Sequence, residues 1–223
     1  MNTLNKQKFR TCFLSPHSDD TFLEAYYIIK ERVLPEPYLL CTVFSESNYV
    51  DVSKKKLYSG VDITKIRKKE DLLFANEFQM QYTTMNEPDC LLRHGTVFFD
   101  ERPLDSKLLD KLYNQLFALI TNLQIEFVVA PSPYGIKQHY DHRVLREIAN
   151  SLEQLKGVSL LWTDDTPYST MPNNIIKELF LGKTLTPKEI QQKSSKLDEI
   201  YPSQTCNYYK EAIKNNNERL FRL

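Results

Sequence analysis

Short apolar runs alternate along this chain with longer segments in which apolar residues recur at helical spacing. A short apolar run between polar residues is typical of a buried strand, whereas apolar residues three and four positions apart predict one face of a helix. The runs that predict strands are residues 11–15, 38–44, 127–131 and 158–162. Strands that alternate with helices in this way favour an α/β layered fold with a mostly parallel sheet.

Helical spacing marks three segments, 20–32, 64–79 and 104–123, and a fourth that starts at residue 142. Thr64 and Asp141 stand at the starts of two of them and are expected to cap those helices. The tail from Thr186 is expected to be mostly helical, with a break near Pro202. The residues expected to face the core are Phe22, Tyr26, Ile29 and Val33 for the first segment, Ile66, Leu73, Phe74 and Phe78 for the second, Leu109, Leu112, Leu116 and Ile120 for the third, and Leu145, Ile148, Leu152 and Leu155 for the fourth.

Length and charge exclude several classes of protein. A chain of 223 residues without an evident linker is expected to form one domain over 1–223. Because 29 basic residues balance 29 acidic ones, no nucleic acid or anionic membrane is expected as a partner. No apolar stretch reaches the roughly 20 residues that span a bilayer. The polar start, residues 1–10, lacks the apolar core of a secretion signal, so we expect a cytoplasmic location. The oligomeric state is not predicted.

The spacing of the cysteines and the small number of glycines argue against two further types of site. The four cysteines are far apart and form no paired motif, so we expect free thiols and neither a disulfide framework nor a thiolate zinc site. With only five glycines, the chain has no glycine-rich phosphate loop, which argues against dinucleotide and P-loop binding.

Two polar clusters follow predicted strands. Residues 16–20 read Pro-His-Ser-Asp-Asp, and residues 139–142 read His-Tyr-Asp-His. Because ligands of open α/β sheets bind at the carboxyl ends of the strands, we expect the two clusters to meet there. His17, Asp20 and His142 then offer two imidazoles and a carboxylate, a set that suits Zn²⁺ or another divalent ion and leaves a position for water.

Two further residues of these clusters have the chemistry of hydrolysis. A bound metal lowers the pKa of its water toward about 7. Asp19, as a carboxylate that is not a ligand, is a natural general base beside such a water. His139 is expected to stabilise a tetrahedral oxyanion or to protonate a leaving amine. The clusters therefore predict metal-assisted hydrolysis of an amide.

A structural interpretation competes with this one for each cluster. Paired aspartates after a strand often serve only as a helix cap and a first-turn acid, and histidines in a loop are often solvated. Three of the four histidines nevertheless fall in the two clusters, which favours a metal site. His94, the fourth, is interpreted as a surface or structural residue.

The motifs are similar to those of a known family. Residues 16–20 resemble the P-H-x-D-D signature, and residues 139–142 the later H-x-D-H signature, of the LmbE-like or PIG-L metal-dependent deacetylases. Weaker resemblances extend the match to most of the chain, in residues 44–49, 67–70, 164–168 and 201–204.

The resemblance implies a Rossmann-like three-layer sandwich and a zinc-dependent hydrolase that removes an acetyl group from an N-acetylated amino sugar or glycan precursor. The implied roles are metal ligand for His17, Asp20 and His142, base for Asp19, electrostatic or acid group for His139, orienting partner of a histidine for Asp141, and substrate contact for Arg67.

The chain departs from the family pattern at two positions. Thr21 stands where the family usually has Glu, and Ser18 where it usually has Pro. Neither change removes an expected ligand, but the first removes a carboxylate from the margin of the site. A metal-dependent amidase for a non-sugar N-acyl substrate and an inactive sugar-binding relative therefore stay open as alternatives. A metal phosphoesterase is less favoured, since it normally needs a second metal and more carboxylates.

Overall fold

Seven strands form one mixed sheet at the centre of the protein, whose computed structural model describes residues 8–132, 134, 138–215 and 217–223. The order across the sheet is β3-β2-β1-β4-β5-β7-β6, with β1 to β5 parallel and the last two strands antiparallel. The strands are β1 (Thr11–Ser15), β2 (Tyr38–Thr42), β3 (Gln81–Thr84), β4 (Phe127–Ser132), β5 (Ser159–Asp164), β6 (Glu178–Thr184) and β7 (Asn217–Arg222).

Helices cover both faces of the sheet. They are α1 (Asp20–Lys30), α2 (Ile63–Glu77), α3 (Cys90–His94), α4 (Ser106–Leu123), α5 (Tyr140–Leu152), α6 (Pro187–Ile200) and α7 (Asn207–Asn215), with a 3-10 turn at Val52–Lys54. None of the described helices is both long and apolar enough to cross a bilayer.

The core consists of two apolar layers separated by the sheet. Successive residues of β1 point to opposite faces, so Cys12 joins the layer under α4 and α5, while Phe13 joins the layer under α1, α2 and α6. All five residues of β1 are buried, as expected for a strand covered by helices on both faces. The predicted α/β class, the mostly parallel sheet and the three layers are confirmed. The four cysteines are free, as expected.

Three strands were not predicted from the sequence. β3 is partly exposed, β6 is mostly exposed, and β7 lies in the tail for which helix was expected. The mostly helical tail expected from Thr186 is found in α6 and α7, with a break between them at 201–206. Its last segment, Asn217–Arg222, is instead a strand that pairs antiparallel with Glu178–Thr184 and also contacts β5. β7 contains only two apolar residues, Leu220 and Phe221, among polar and charged ones, and its partner β6 lies more than 30 residues earlier in the sequence.

The inner face of α2 is more polar than its periodicity indicates. Leu73, expected inside, is 45% exposed, whereas Arg67, Glu70 and Asp71 are buried. Phe74 and Phe78 are buried as predicted.

Three helix starts also differ from the expectation. Asp62, not Thr64, caps α2 by accepting a hydrogen bond from the Lys65 N–H. Thr64 instead binds the backbone of Ser47 through its hydroxyl. The third expected helix begins at Ser106, and the fourth begins at Tyr140 with His139 as its cap, so the assignment of Asp141 as a cap is wrong.

Side chains of α4 and α5 mostly face the core as expected. In α4, Leu108 is buried in place of Leu109, which is only partly buried, while the other three predicted positions are buried. In α5, Leu145, Ile148 and Leu152 are buried, and Leu155 lies beyond the helix end, partly buried against the same layer.

Helix α1 contains a break that a buried ion pair repairs. Ala25 has φ −134° and ψ 18°, which is not helical. The Leu23 carbonyl accepts a hydrogen bond from Lys193 Nζ at 2.7 Å, and the Tyr27 N–H donates to Glu218 Oε2 at 2.6 Å. In a continuous helix these two backbone groups would bond to each other. Lys193 and Glu218, both fully buried and 2.6 Å apart, therefore take the place of the missing helical bond.

We predict that Lys193→Met destabilises the protein by about 3–5 kcal/mol, because Glu218 would be left as an unpaired buried charge. Urea unfolding measures the loss. Lys196→Met on the same helix is the control, since Lys196 makes partly exposed ion pairs and its removal should cost about 1 kcal/mol or less. Equal losses for the two variants would contradict the role of the buried pair.

Candidate functional site

The two predicted clusters meet at one edge of the sheet. β1 and β4 are neighbouring parallel strands, so the segments that follow them leave the sheet side by side. His17 Nδ1 lies 3.2 Å from His142 Nε2, and Asp20 Oδ2 lies 3.1 Å from the first atom and 3.2 Å from the second. The structure therefore brings together the three residues expected as metal ligands.

These three atoms have the spacing that a small divalent ion requires. In a tetrahedral zinc site with bonds of about 2.0–2.1 Å, neighbouring ligand atoms lie about 3.3 Å apart. All three side chains are buried, and two nitrogens with one carboxylate oxygen form a donor set that zinc accepts. The residues present thus fit a metal ion. Two further groups of described residues, each of which shares side chains with this triangle, also have ligand atoms close enough to hold an ion: His17, His139 and His142, and Asp20, Glu24 and His142.

A carboxylate fixes the orientation of each imidazole. Asp141 Oδ2 lies 2.9 Å from His17 Nε2, and Asp165 Oδ1 lies 2.5 Å from His142 Nδ1. In each ring the nitrogen far from the triangle is held by a carboxylate, so the other nitrogen points at the shared position. Asp141 was expected in this role. Asp165 was not, because its partner is identified only once β5 is placed beside β4.

The carboxylates make this position strongly attractive to positive charge. Burial lowers the pKa of His17, but hydrogen bonds to Asp141 and Asp20 outweigh it and raise the pKa to about 9. His142 is shifted in the same direction, its burial being outweighed by Asp165 and Asp20. Burial raises the pKa of Asp20, yet His142 and His17 hold it well below the ordinary value.

Asp19 does not serve as an ordinary helix cap. It precedes α1 with φ +90°, in the left-handed region that non-glycine residues rarely adopt, and its side chain makes no cap hydrogen bond. The alternative interpretation of the aspartate pair as a simple cap is therefore wrong for Asp19. Backbone strain of this kind is typical of functional sites.

The two carboxylate oxygens of Asp19 have different surroundings. Oδ1 accepts a hydrogen bond from Arg67 Nη2 at 3.1 Å, while Oδ2 is buried without a partner among the described residues. Burial raises the pKa of Asp19 to about 8, although the Arg67 guanidinium opposes the shift. The side chain lines a cavity of about 170 Å³ together with His17, Asp20 and His139. One oxygen is thus held by the protein and the other is left for a ligand.

His139 lies on the same cavity as a neutral ring. Burial and the neighbouring His17 and His142 lower its pKa well below the ordinary value. Its Nδ1 accepts a hydrogen bond from the Asp141 N–H at 3.2 Å, so the proton of the neutral ring is on Nε2. The competing interpretation of these histidines as a solvated pair is wrong, because His139 and His142 are both buried.

Arg67 is buried as well and is not part of a solvated face. Its Nη2 donates to the Ser18 carbonyl at 2.9 Å and to Asp19, and its Nη1 donates to Ser47 Oγ at 3.1 Å. Most of its donors therefore hold the protein together. Its Nε is buried and has no partner among the described residues.

Asp71, which sequence reasoning missed, connects the site to three other elements. It accepts hydrogen bonds from four hydroxyl groups: those of Ser18 at 2.9 Å, Thr42 at 2.7 Å, Tyr82 at 3.1 Å and Tyr201 at 3.0 Å. Ser18, the residue that replaces the family's proline, is thereby anchored. No local pattern could identify Asp71, because its donors come from distant parts of the chain.

The margin of the site keeps a carboxylate although Thr21 replaces the family's glutamate. Glu24, one turn further along α1, is buried and accepts a hydrogen bond from Thr163 Oγ1 at 3.0 Å. Its other oxygen, Oε1, has no partner among the described residues. Thr21 itself is buried, and its N–H donates to Ser15 Oγ. The fourth histidine, His94, lies outside this cluster and contacts the ring of Phe98.

Aromatic side chains form much of the remaining cavity lining: Tyr49, Phe99, Tyr168 and Tyr209. Phe99 is 43% exposed, and its ring centroid lies 5.2 Å from that of His139. Tyr168 packs edge-on against His142 at 5.1 Å. The cavity therefore combines a polar cluster with apolar ring faces.

Known proteins resemble this chain in sequence family and in fold. The family model described as PIG-L, GlcNAc-PI de-N-acetylase, matches residues 12–153, more than half of the chain. No curated protein sequence matches the chain significantly.

Solved structures share the fold at low sequence identity. A deacetylase–teicoplanin complex from teicoplanin biosynthesis is 18% identical, with TM-score 0.70 over 95% of this chain and 96% of that one. The zinc-inhibited form of a teicoplanin deacetylase is also 18% identical, with TM-score 0.69 over 95% and 97%. The N,N'-diacetylchitobiose deacetylase of Pyrococcus horikoshii is 17% identical, with TM-score 0.62 over 99% and 85%.

We predict that Asp71→Ala destabilises the protein by about 3 kcal/mol or more, because four buried or part-buried hydroxyls lose a charged acceptor. Asp71→Asn, which keeps one acceptor oxygen, should lose less. Urea unfolding is the measurement, and Leu72→Ala at the adjacent, 46% exposed position is the control. An Asp71→Ala variant as stable as the control would contradict the anchoring role.

Proposed function

Because the chain belongs to the PIG-L family of de-N-acetylases, we propose that it hydrolyses the acetamide of an N-acetylated amino sugar or glycan precursor. The observation that carries the proposal is the juxtaposition of the His17, Asp20 and His142 triangle with the unpartnered oxygen of Asp19. These groups line one cavity or lie directly behind it, as an amide hydrolase requires.

His17, Asp20 and His142 would hold the metal, and we propose zinc or another divalent ion with the same ligand preferences. When bound, such an ion acts as a Lewis acid and lowers the pKa of water toward about 7. Asp141 and Asp165 hold the two imidazoles in the tautomers that leave one nitrogen of each free for the ion.

Asp19 is proposed as the general base. Its Oδ2 takes the proton from the water that attacks the acetamide carbon, and the same carboxyl then delivers a proton to the leaving amine. Arg67 keeps Oδ1 occupied, so only one oxygen of Asp19 faces the reaction. Arg67 Nε, which lacks a partner among the described residues, is the part of that side chain left for substrate contact.

His139 is proposed to stabilise the tetrahedral oxyanion. With its proton on Nε2, the ring can donate a hydrogen bond to the oxygen that becomes negative during attack. The backbone N–H of Asp141 keeps this tautomer in place. A neutral donor in a buried site interacts strongly with developing charge because water does not screen it.

The cavity lining supports a sugar as the acetylated substrate. Aromatic faces such as Tyr49 and Phe99 suit the apolar faces of a sugar ring. Arg67, the one arginine or lysine of the described lining, is paired with Asp19. The solved deacetylases of similar fold are named for teicoplanin and N,N'-diacetylchitobiose. A cytoplasmic location and the absence of a nucleic-acid partner stay predictions from the sequence.

We predict that Asp19→Asn lowers kcat by a factor of about 10²–10⁴, because the amide keeps the shape of the side chain but cannot accept the proton. Acetate release from N-acetylglucosamine derivatives is the assay, and bound metal is measured in the same sample. Asp110→Asn, at an exposed position of α4, is the control and should match the wild type.

Three results would count against parts of this proposal. An Asp19→Asn enzyme that retains metal and wild-type turnover would exclude Asp19 as the base. A wild-type protein that binds metal and an N-acetylated sugar yet releases no acetate from any amide would identify an inactive sugar-binding relative instead. Release of acetate from simple acetamides but not from sugars would identify a non-sugar amidase.

A further inference from the structure

Gln204, a residue of the cavity lining, carries a buried acceptor without a hydrogen-bond partner among the described residues. It lies in the turn after α6, its side chain is 1% exposed, and it lines the same cavity as Asp19 and His139. Its carbonyl oxygen, Oε1, is buried without a partner among the described residues. A buried amide oxygen normally has a hydrogen-bond partner, so this exception points to a donor supplied from the cavity.

The orientation of the Gln204 amide is fixed by its neighbours. Ser203 Oγ donates its single hydrogen to Glu70 Oε2 at 2.6 Å, so toward Gln204 this hydroxyl can only accept. Gln204 Nε2 donates to Ser203 Oγ at 2.9 Å and to the Tyr49 carbonyl at 3.4 Å. Because both neighbours are acceptors, the nitrogen must face them and the oxygen must face away.

Glu70 secures this arrangement from α2. One of its oxygens accepts from the Ser203 hydroxyl, and the other accepts from the Ser203 N–H at 2.8 Å. A chain of hydrogen bonds thus runs from Glu70 through Ser203 to Gln204 and ends at an acceptor. A hydrogen-bond acceptor held in this way selects a ligand with a donor at a matching position.

We propose that Gln204 Oε1 accepts a hydrogen bond from a ring hydroxyl of the amino sugar and so determines specificity for a hydroxylated substrate. This inference rests on the proposed function and adds the part of the substrate recognised beside the acetamide. Ring hydroxyls are the donors that distinguish a sugar from a simple acylated amine. The aromatic Tyr49, whose carbonyl helps to hold the Gln204 amide, also lines the cavity.

The test compares N-acetylglucosamine with its 3-, 4- and 6-deoxy analogues in wild type and Gln204→Leu. Wild type should prefer the parent sugar over one deoxy analogue by at least about tenfold in kcat/KM, and Gln204→Leu should reduce that preference to about one. The affinity for the same four sugars, measured by calorimetry, gives a second readout that does not depend on turnover.

Ser203→Ala changes a residue that does not itself line the cavity. It removes the acceptor that orients the Gln204 amide, so the preference in kcat/KM for the parent sugar over that deoxy analogue should be partly lost. Gln154→Leu, at an exposed position, should leave the preference unchanged. Thermal unfolding of each variant shows whether the fold is retained.

The outcomes separate this inference from the proposed function. An active wild type that treats all four sugars alike, or a Gln204→Leu variant that weakens them all equally, would overturn the hydroxyl contact and leave the deacetylase proposal intact. A wild type that neither binds nor deacetylates any of the sugars would overturn both.

Discussion

Buried negative charge at one edge of the sheet is the constraint on which the site depends. Carboxylates that are almost fully inaccessible surround two imidazoles: Asp19, Asp20, Glu24, Asp141 and Asp165. Burial of so many ionised acids is unfavourable unless positive charge balances them, and burial accordingly raises the pKa of Asp19 and Glu24. Arg67 pairs with Asp19, and Arg93 pairs with Asp141. The position between His17 and His142 attracts further positive charge. A divalent cation at that position would satisfy the same requirement and supply the chemistry.

The scaffold holds these groups through distant contacts. Asp19 keeps a strained backbone, and its neighbour Ser18 is anchored by Asp71 across the sheet edge. The break in α1 after Asp20 is bridged by Lys193 and Glu218 from two later elements. Side chains that are already held in position before the substrate binds need little reorganisation during the reaction, so less free energy is spent on moving them.

The sequence predicts the histidine clusters and their strands well because those signals are local. His17 and Asp20 are three residues apart, and each cluster directly follows an apolar run, so the sheet edge could be inferred. Asp71 and Asp165 could not be found in this way, because their partners lie on other elements: Tyr201 is 130 residues from Asp71, and His142 is 23 residues from Asp165. The polar inner face of α2 was missed for the same reason, because its buried acids accept hydrogen bonds from hydroxyl groups on other elements. β7 was missed because its pairing is non-local.

Anomalous scattering at a metal absorption edge, from crystals of the protein purified with its own metal, tests the central claim most directly. The account predicts one ion within bonding distance of His17 Nδ1, an Asp20 oxygen and His142 Nε2, with Asp19 close by but not bound. An ion held by His17, His139 and His142 without Asp20, or no ion at this edge in active protein, would contradict it.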